Sequence, residues 1–444
     1  MKRRLISSAL LSASLFLVLF SPSVTTTNYI AVGQKLPDQS IIVLSEDVTN
    51  PGVVGRGIAE QKIPNQYIVV FRDDVKDPGA AAKDIAQKHG LALGLVYEHA
   101  LKGFSAIIPP PALNKVKSDA RVSFVEQDQL VEAFLHTNNF ETLTTGIDRI
   151  DADLNPRTDV SGVGIAIIDT GIWLTHVDLN AKAGKNCVSP SKSPNDDNGH
   201  GTHVAGIAAA KTKDSKGVRG VAPNAALWAV KVLDRNGSGP MSAVICGVDW
   251  VTANAAAKGI KVANMSLGCL CSSAALDTAI AKSVAAGVTY AVAAGNSSTN
   301  AASFSPANHP DVITVSAMGD SNGKCGGQGP NTSDGADDTF ATFSNFGSLV
   351  EIAAPGVDIT STWKGDKNNP GGLYATASGT SMSAPHVAGA AAQYIASNPT
   401  ATPAGVRSAL IAAGVPQGQT CINGGNGGFT GDPDGIAEPL VYAP

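Results

Sequence analysis

Three short polar clusters interrupt an otherwise apolar, glycine-rich chain. The first is Asp169, which closes the run GIAIID and is followed by Thr170 and Gly171. A carboxylate at the end of a buried strand sits on the edge where α/β sheets hold their ligands. Taken alone, it reads better as a turn aspartate or a helix cap. The second is NGHGTHVAG at residues 198–206, a loop entering an alanine-rich helix. His200 falls at the helix start and His203 one turn inside. Two histidines at i and i+3 can hold a metal, but no glutamate lies between them and no carboxylate follows on their face. The better division is a working His200 and a packed, hydrogen-bonded His203. The third is SGTSMSAPHVAG at residues 378–389. Ser381 is expected at a helix start, with its hydroxyl facing the positive end of the dipole. A serine hydroxyl is a poor nucleophile until a base takes its proton, and in isolation Ser381 would be only an N-cap. His386, deeper in that helix, reads as a core histidine.

Such residues need a frame, and the apolar pattern supplies one. From Gly162 onward the runs GVGIAIID, ALWAVKVL, KVANMSL, VTYAVAAGN, VITVSAM and VEIAAPG read as strands. Helical stretches lie between them, for example at residues 241–257 and 274–286. Continuously apolar strands alternating with helices predict an α/β fold, a mostly parallel sheet with helices on both faces. Upstream, residues 66–71, 93–97, 103–108 and 122–127 read as strands. Residues 79–89 and 110–118 read as helices. Strand, helix, strand, strand, helix, strand is the split βαβ order of a small α+β, ferredoxin-like domain.

The chain has 444 residues, 43% hydrophobic and 16% charged, enough for two or three domains with substantial cores. Its net charge is −5 with no basic stripe, which argues against a nucleic-acid partner. Lys2, Arg3 and Arg4 precede an apolar run from Leu5 to Phe20 and then Ser21, Pro22 and Ser23. That order is a secretory signal peptide, too short for a full membrane span. The expected organisation is therefore a signal at residues 1–26, a linker at 27–63, the small domain at 64–133, a connector at 134–145 and the large domain at 146–444. Six cysteines follow export: Cys187, Cys246, Cys269, Cys271, Cys325 and Cys421. An even number in an exported chain suggests disulfides, with 15 possible connectivities. Cys269 and Cys271 are expected to be too close to pair with each other. Cys246, in a helical stretch, could be a buried free thiol. No CxxC pair supports zinc.

IIDTGI, NGHGTHVAGI, NMSLG, AVAAGN and SGTSMSAPHVAG, in that order, resemble the subtilisin family of serine endopeptidases, within it the proteinase K-like secreted branch. The likeness runs from Gln66 to Pro444. It implies Ser381 as nucleophile, His200 as general base and then acid, and Asp169 as the group that holds the imidazole tautomer. It implies Asn296, with the Ser381 backbone N–H, as donor to the oxyanion. Gly237, Ser238 and Gly239 and Ser266, Leu267 and Gly268 look like the two strands that flank an extended peptide. Ala293, Ala294 and Gly295 would line an apolar pocket before the scissile bond, with Phe304 a candidate for its floor. Bulky apolar or aromatic side chains should fit there. Residues 64–133 resemble the family's inhibitory propeptide, cut away by the enzyme itself near Thr137. Calcium is implied at two positions: Asp178 with Asp214, and Glu351 with the carbonyls of Pro310 and Val312. Lysines 211, 213 and 216 crowd the first. The resemblance thus predicts a secreted, extracellular monomer acting on polypeptides, restrained by its own propeptide, and off the membrane once the signal is removed. A catalytically dead binding protein on the same fold is disfavoured, because each catalytic position carries the expected residue type. A membrane-tethered, kexin-like processing enzyme would need acidic pockets and a further β domain, and neither is visible.

Overall fold

A computed structural model describes residues 30–36, 39–45, 62–133, 136–138, 144–154, 159–212, 217–365, 372–421 and 427–443. The proposed signal run lies outside them. Inside the stretch expected to be a linker, strand β1 (Ile30–Leu36) pairs antiparallel with β2 (Gln39–Ser45) as a separate hairpin.

The small α+β region has the expected order: β3 (Lys62–Phe71), α1 (Pro78–His89), β4 (Ala92–Tyr97), β5 (Gly103–Ile107), α2 (Pro110–Lys117) and β6 (Val122–Ala133). Its strands stand in the order β6-β3-β5-β4, all antiparallel. Helix α1 starts where the Asp77 carboxylate accepts from the Ala80 N–H at 2.8 Å, and it stops at Gly90 with φ 63°. Alternation along β3 sends Val69 and Phe71 into the core beneath α1 and α2, while Ile68 and Val70 join the main core. One strand is thus buried on both faces, which fastens the small region to the large one.

Strand β7 (His136–Asn138) and helix α3 (Thr145–Arg149) lead into the large domain. Its elements follow in order. They are β8 (Gly164–Asp169), β9 (Ala181–Asn186), α4 (His200–Ala209), β10 (Ala226–Lys231), β11 (Ser238–Pro240) and α5 (Met241–Lys258). Next come β12 (Ile260–Met265), β13 (Leu267–Leu270), α6 (Ala274–Ala285), β14 (Thr289–Ala293) and β15 (Phe304–Ser305). The last are β16 (Ile313–Gly319), β17 (Thr339–Phe340), β18 (Ile352–Pro355), β19 (Ile359–Thr362), β20 (Tyr374–Ser378), α7 (Thr380–Ser397) and α8 (Pro403–Ala413). All six apolar runs read from the sequence lie in one sheet, β17-β16-β14-β12-β8-β10-β9 with β18 beside β16. Every pair in it is parallel except β16 with β17. Strand β9 (AKAGKN) was not legible, because an edge strand with only one residue fully buried carries no continuous apolar run.

The cysteines depart from expectation. Cys187 bonds Cys246, which is therefore no free thiol, and Cys325 bonds Cys421. Cys269 bonds Cys271 despite the single residue between them. The chain bends there, with the Cys271 N–H donating to the Cys269 carbonyl at 2.9 Å. That turn sets the Cα atoms 5.3 Å apart, inside the span a disulfide bridges.

Candidate active site

The three polar clusters converge at the carboxyl ends of the central strands. Asp169 ends β8, fully buried, and its Oδ1 accepts from the Thr170 N–H at 2.6 Å and lies 2.7 Å from His200 Nδ1. A carboxylate against Nδ1 places the neutral ring's proton there, so Nε2 carries the lone pair. His200 is the first residue of α4, and two glycines allow this approach. Gly199 has φ 125°, and a Cβ on it would lie 2.4 Å from the Trp363 ring. A Cβ on Gly201 would fall 2.1 Å from the Gly171 carbonyl oxygen, in the loop after Asp169.

Asp196 ties these two segments together, and sequence reasoning missed it. Its Oδ1 accepts from the Thr170 hydroxyl (3.0 Å) and from the N–H groups of Asn198 and Gly199 (2.9 Å each). Its Oδ2 accepts from the Thr202 N–H (3.0 Å) and hydroxyl (2.6 Å). Burial raises its pKa, and these hydrogen bonds oppose the rise. Buried Lys231, opposite Asp169 in the β8–β10 register, donates to the carbonyls of Thr170 and Leu233 and to Asp197. The only sequence signal for this pair of clamps was the Asp196-Asp197 step before NGH.

Ser381 is the second residue of α7. Its hydroxyl donates to the Ser266 carbonyl at 3.1 Å, while the Ser266 hydroxyl donates to the Ser381 carbonyl at 2.8 Å. That carbonyl is open to a side chain because its helical partner four residues on is Pro385, which has no N–H. Asn264, near the end of β12, donates to the Ser266 hydroxyl and completes the chain. Asn296 is held from the other side. Its Oδ1 accepts from the Thr380 N–H (3.0 Å) and hydroxyl (2.7 Å), which fixes which end of the amide is free to donate. The loop carrying it is pinned by Asn345, which donates to the Ala294 carbonyl and accepts from Ser297 and Thr299. Ala293, Ala294 and Gly295 are buried, and the Phe304 ring lies beside Gly295.

His203 and His386 behave as packed histidines. Both are fully buried, and each places one ring nitrogen on a carbonyl, of Ala375 and Met382. Burial pushes their pKa values down to about 3 and about 4, so both are neutral.

The strands expected to flank a peptide, β11 and β13, are paired with β6, with Gly237 and Ser266 just outside them. Ser238, Gly239 and Pro240 of β11 stand opposite Glu132, Val131 and Leu130. Leu267 and Gly268 of β13 stand opposite Ala133 and Glu132. Beyond residues 134 and 135, β7 pairs with β20, His136 opposite Ser378. The small region docks on α5 and α6 through carboxylates at their N-termini. Glu126 accepts from the Ser273 hydroxyl (2.6 Å) and the Ala275 N–H (3.0 Å), and Asp128 from the Ser242 N–H (2.9 Å). Both acids sit where helix dipoles favour negative charge, yet burial raises both pKa values.

The two calcium positions differ. Asp178 is fully buried, its Oδ2 accepting from the Val218 N–H and the Tyr374 hydroxyl, both neutral donors. Asp214 lies outside the described residues. Lys211 donates to the neighbouring carbonyl of Val177. At the second position Glu351 and the Pro310 carbonyl do converge, but on the guanidinium of Arg407 rather than with the Val312 carbonyl around an ion. Among the described residues no group of three or more His, Cys, Asp or Glu side chains is placed to hold a metal.

Comparison with known proteins gives a consistent picture. Residues 160–427 match the subtilase family. An extracellular serine proteinase of Thermus sp. (strain Rt41A) is 40% identical over 331 residues, 72% of this chain and 73% of that protein. A solved cold-adapted subtilisin-like serine proteinase is 34% identical, with a TM-score of 0.54, covering 68% of this chain and 99% of that one. Fervidolysin from Fervidobacterium pennivorans, described as a keratinolytic enzyme related to subtilisin, covers 88% of this chain and 62% of its own. Its identity is 25% and its TM-score 0.66.

Proposed function

The chain belongs to the subtilase family of serine proteinases, and on that premise we propose that it is an endopeptidase zymogen that cuts itself between Ala133 and His136. The observation that carries this reading is the pairing of one continuous segment with both sides of the cleft. Glu132 and Ala133 pair with Gly268 and Leu267 on one side, and His136 pairs with Ser378 on the other. The carbonyl of Ser266, the residue before Leu267, accepts from the Ser381 hydroxyl, so the nucleophile stands where the first pairing ends. The proposed cut lies just before the Thr137 suggested by sequence.

In the proposed chemistry, rotation of the Ser381 side chain moves its hydroxyl from the Ser266 carbonyl toward His200 Nε2, which takes the proton as the oxygen attacks. Asp169 stabilises the resulting imidazolium through Nδ1. The tetrahedral oxyanion receives the Ser381 N–H, an orphan donor of the first helical turn, and the Asn296 amide N–H. His200 then protonates the leaving amine, and water repeats the sequence on the acyl-enzyme. After the cut, residues 130–133 keep their strand pairing and the small domain keeps its caps on α5 and α6, which makes it a slow-leaving inhibitor. Substrate polypeptides would occupy the same strand positions, with bulky apolar or aromatic residues before the scissile bond. Export by the N-terminal signal and action outside the cell, as a monomer, complete the reading. At the first calcium position the buried Asp178 carboxylate would serve as a hard-oxygen ligand.

The test is N-terminal sequencing of the mature body. Self-cleavage predicts a first product beginning at Phe134, Leu135 or His136, formed at a rate independent of dilution. The Ser381→Ala precursor should stay whole in a host lacking other proteases. Cutting of that variant at the same bond, or a first-step rate proportional to concentration, refutes cleavage in cis.

A further inference from the structure

Glu351 precedes β18, and its N–H donates to the Thr314 carbonyl of β16. The carbonyl of Pro310 lies just before β16. Both were expected to face a calcium ion. They face the guanidinium of Arg407, from the second turn of α8. Arg407 Nε donates to Glu351 Oε2 at 2.7 Å, Nη2 donates to Oε1, and Nη1 donates to the Pro310 carbonyl at 2.7 Å. Both carboxylate oxygens and the carbonyl are thus taken by one planar fork. The Glu351 side chain is 14% exposed and that of Arg407 34%, so the pair is screened on the carboxylate side.

We propose that Arg407 is the resident cation of this position, a tethered guanidinium that takes the place of calcium and excludes it. The geometry suits arginine better than lysine, because the fork meets a carboxylate through two parallel bonds and has a further N–H for the carbonyl. The substitution changes the physics of the clamp. A bound ion stabilises in proportion to the logarithm of its concentration and is lost to a chelator. A side chain is present at fixed stoichiometry whatever the calcium level. Its charge also neutralises Glu351, so a divalent ion arriving there would have to displace a paired cation and would find one carboxylate. Helix α8 is therefore tied to β16 and β18 independently of calcium. This clamp is separate from the catalytic reading and from the Asp178 position.

The experiment uses the Ser381→Ala precursor, so that self-digestion does not intervene, and measures Ca²⁺ bound per chain by calorimetry after metal stripping. Thermal melts with and without Ca²⁺ run alongside. Glu351→Gln should bind as many ions as its parent and show the same calcium-induced shift in melting temperature. Arg407→Ala should bind one ion more, and adding Glu351→Gln to it should remove that ion. Loss of an ion in Glu351→Gln alone would overturn the proposal. So would an Arg407→Ala chain with the parent's circular dichroism and no additional ion. If Arg407→Ala does not fold, Arg407→Gln, which removes the charge and keeps most of the bulk, carries the same comparison.

Discussion

Replacing Thr380 with valine tests whether Asn296 is aimed or merely present. Two donors hold the Asn296 carbonyl oxygen, the Thr380 N–H at 3.0 Å and its hydroxyl at 2.7 Å. Valine keeps the shape and the N–H and removes only the hydroxyl. A neutral hydrogen bond is worth about 1 kcal/mol net, and 1.36 kcal/mol corresponds to about tenfold in rate. The expected fall in kcat is therefore roughly fivefold, with little change in KM, because the oxyanion forms only in the transition state. Complete loss of the donor, as in Asn296→Leu, should cost on the order of 10²–10³, a magnitude the handling of subtilisin's own oxyanion asparagine has set. The Thr380 hydroxyl also accepts from the Gly295 N–H at 3.1 Å. Stranding that buried donor costs about 1–3 kcal/mol of stability, which lowers the melting temperature and not kcat. The assay is steady-state hydrolysis of a chromogenic peptide by Thr380→Val, Thr380→Ser, Asn296→Leu and the Thr380→Val/Asn296→Leu double variant. Serine should restore the rate, and valine should add no loss once Asn296 is gone. An unchanged kcat in a folded Thr380→Val enzyme, or the same fivefold loss in the Asn296→Leu background, refutes the aiming role.

Ser381→Ala should abolish casein hydrolysis, and residual full activity would mean another nucleophile. Peroxide should inactivate the mature enzyme through Met382, which follows Ser381 and is fully buried in the precursor. Met382→Ala should resist, and equal loss in both forms would point to another residue. Burial lifts the Asp320 carboxyl to about 7 from an ordinary value of 3.8. Its folded pKa lies above its unfolded one, so its contribution to stability is full below about 3.8 and is lost as pH rises through about 7. The melting temperature of the Ser381→Ala precursor should thus fall less steeply over that window when Asp320→Asn is added. Parallel curves would absolve Asp320.

Residue order alone determined the architecture and the chemistry. The six apolar strands were legible because a parallel sheet covered on both faces must be apolar along its whole length. Asp169, His200 and Ser381 each had a plainer role as an isolated residue, and it was the order of the three motifs around them that singled them out. The small region's elements were legible through period and stop signals, such as Gly90 after α1. What the sequence could not determine was anything requiring two distant segments at one point. Asp196 looks like a loop acid, and only the approach of Thr170 to Thr202 makes it a clamp. Cys269 and Cys271 looked too close to pair, and a local turn brings them together. Glu351 and Pro310 looked like calcium ligands, and a helix 56 residues further along the chain from Glu351 delivers Arg407 to them. The strand pairings of Ala133 and His136 that bracket the proposed cut belong to the same class. A hydrogen-bonded pairing depends on which backbone lies beside which, and no side-chain pattern encodes that in advance.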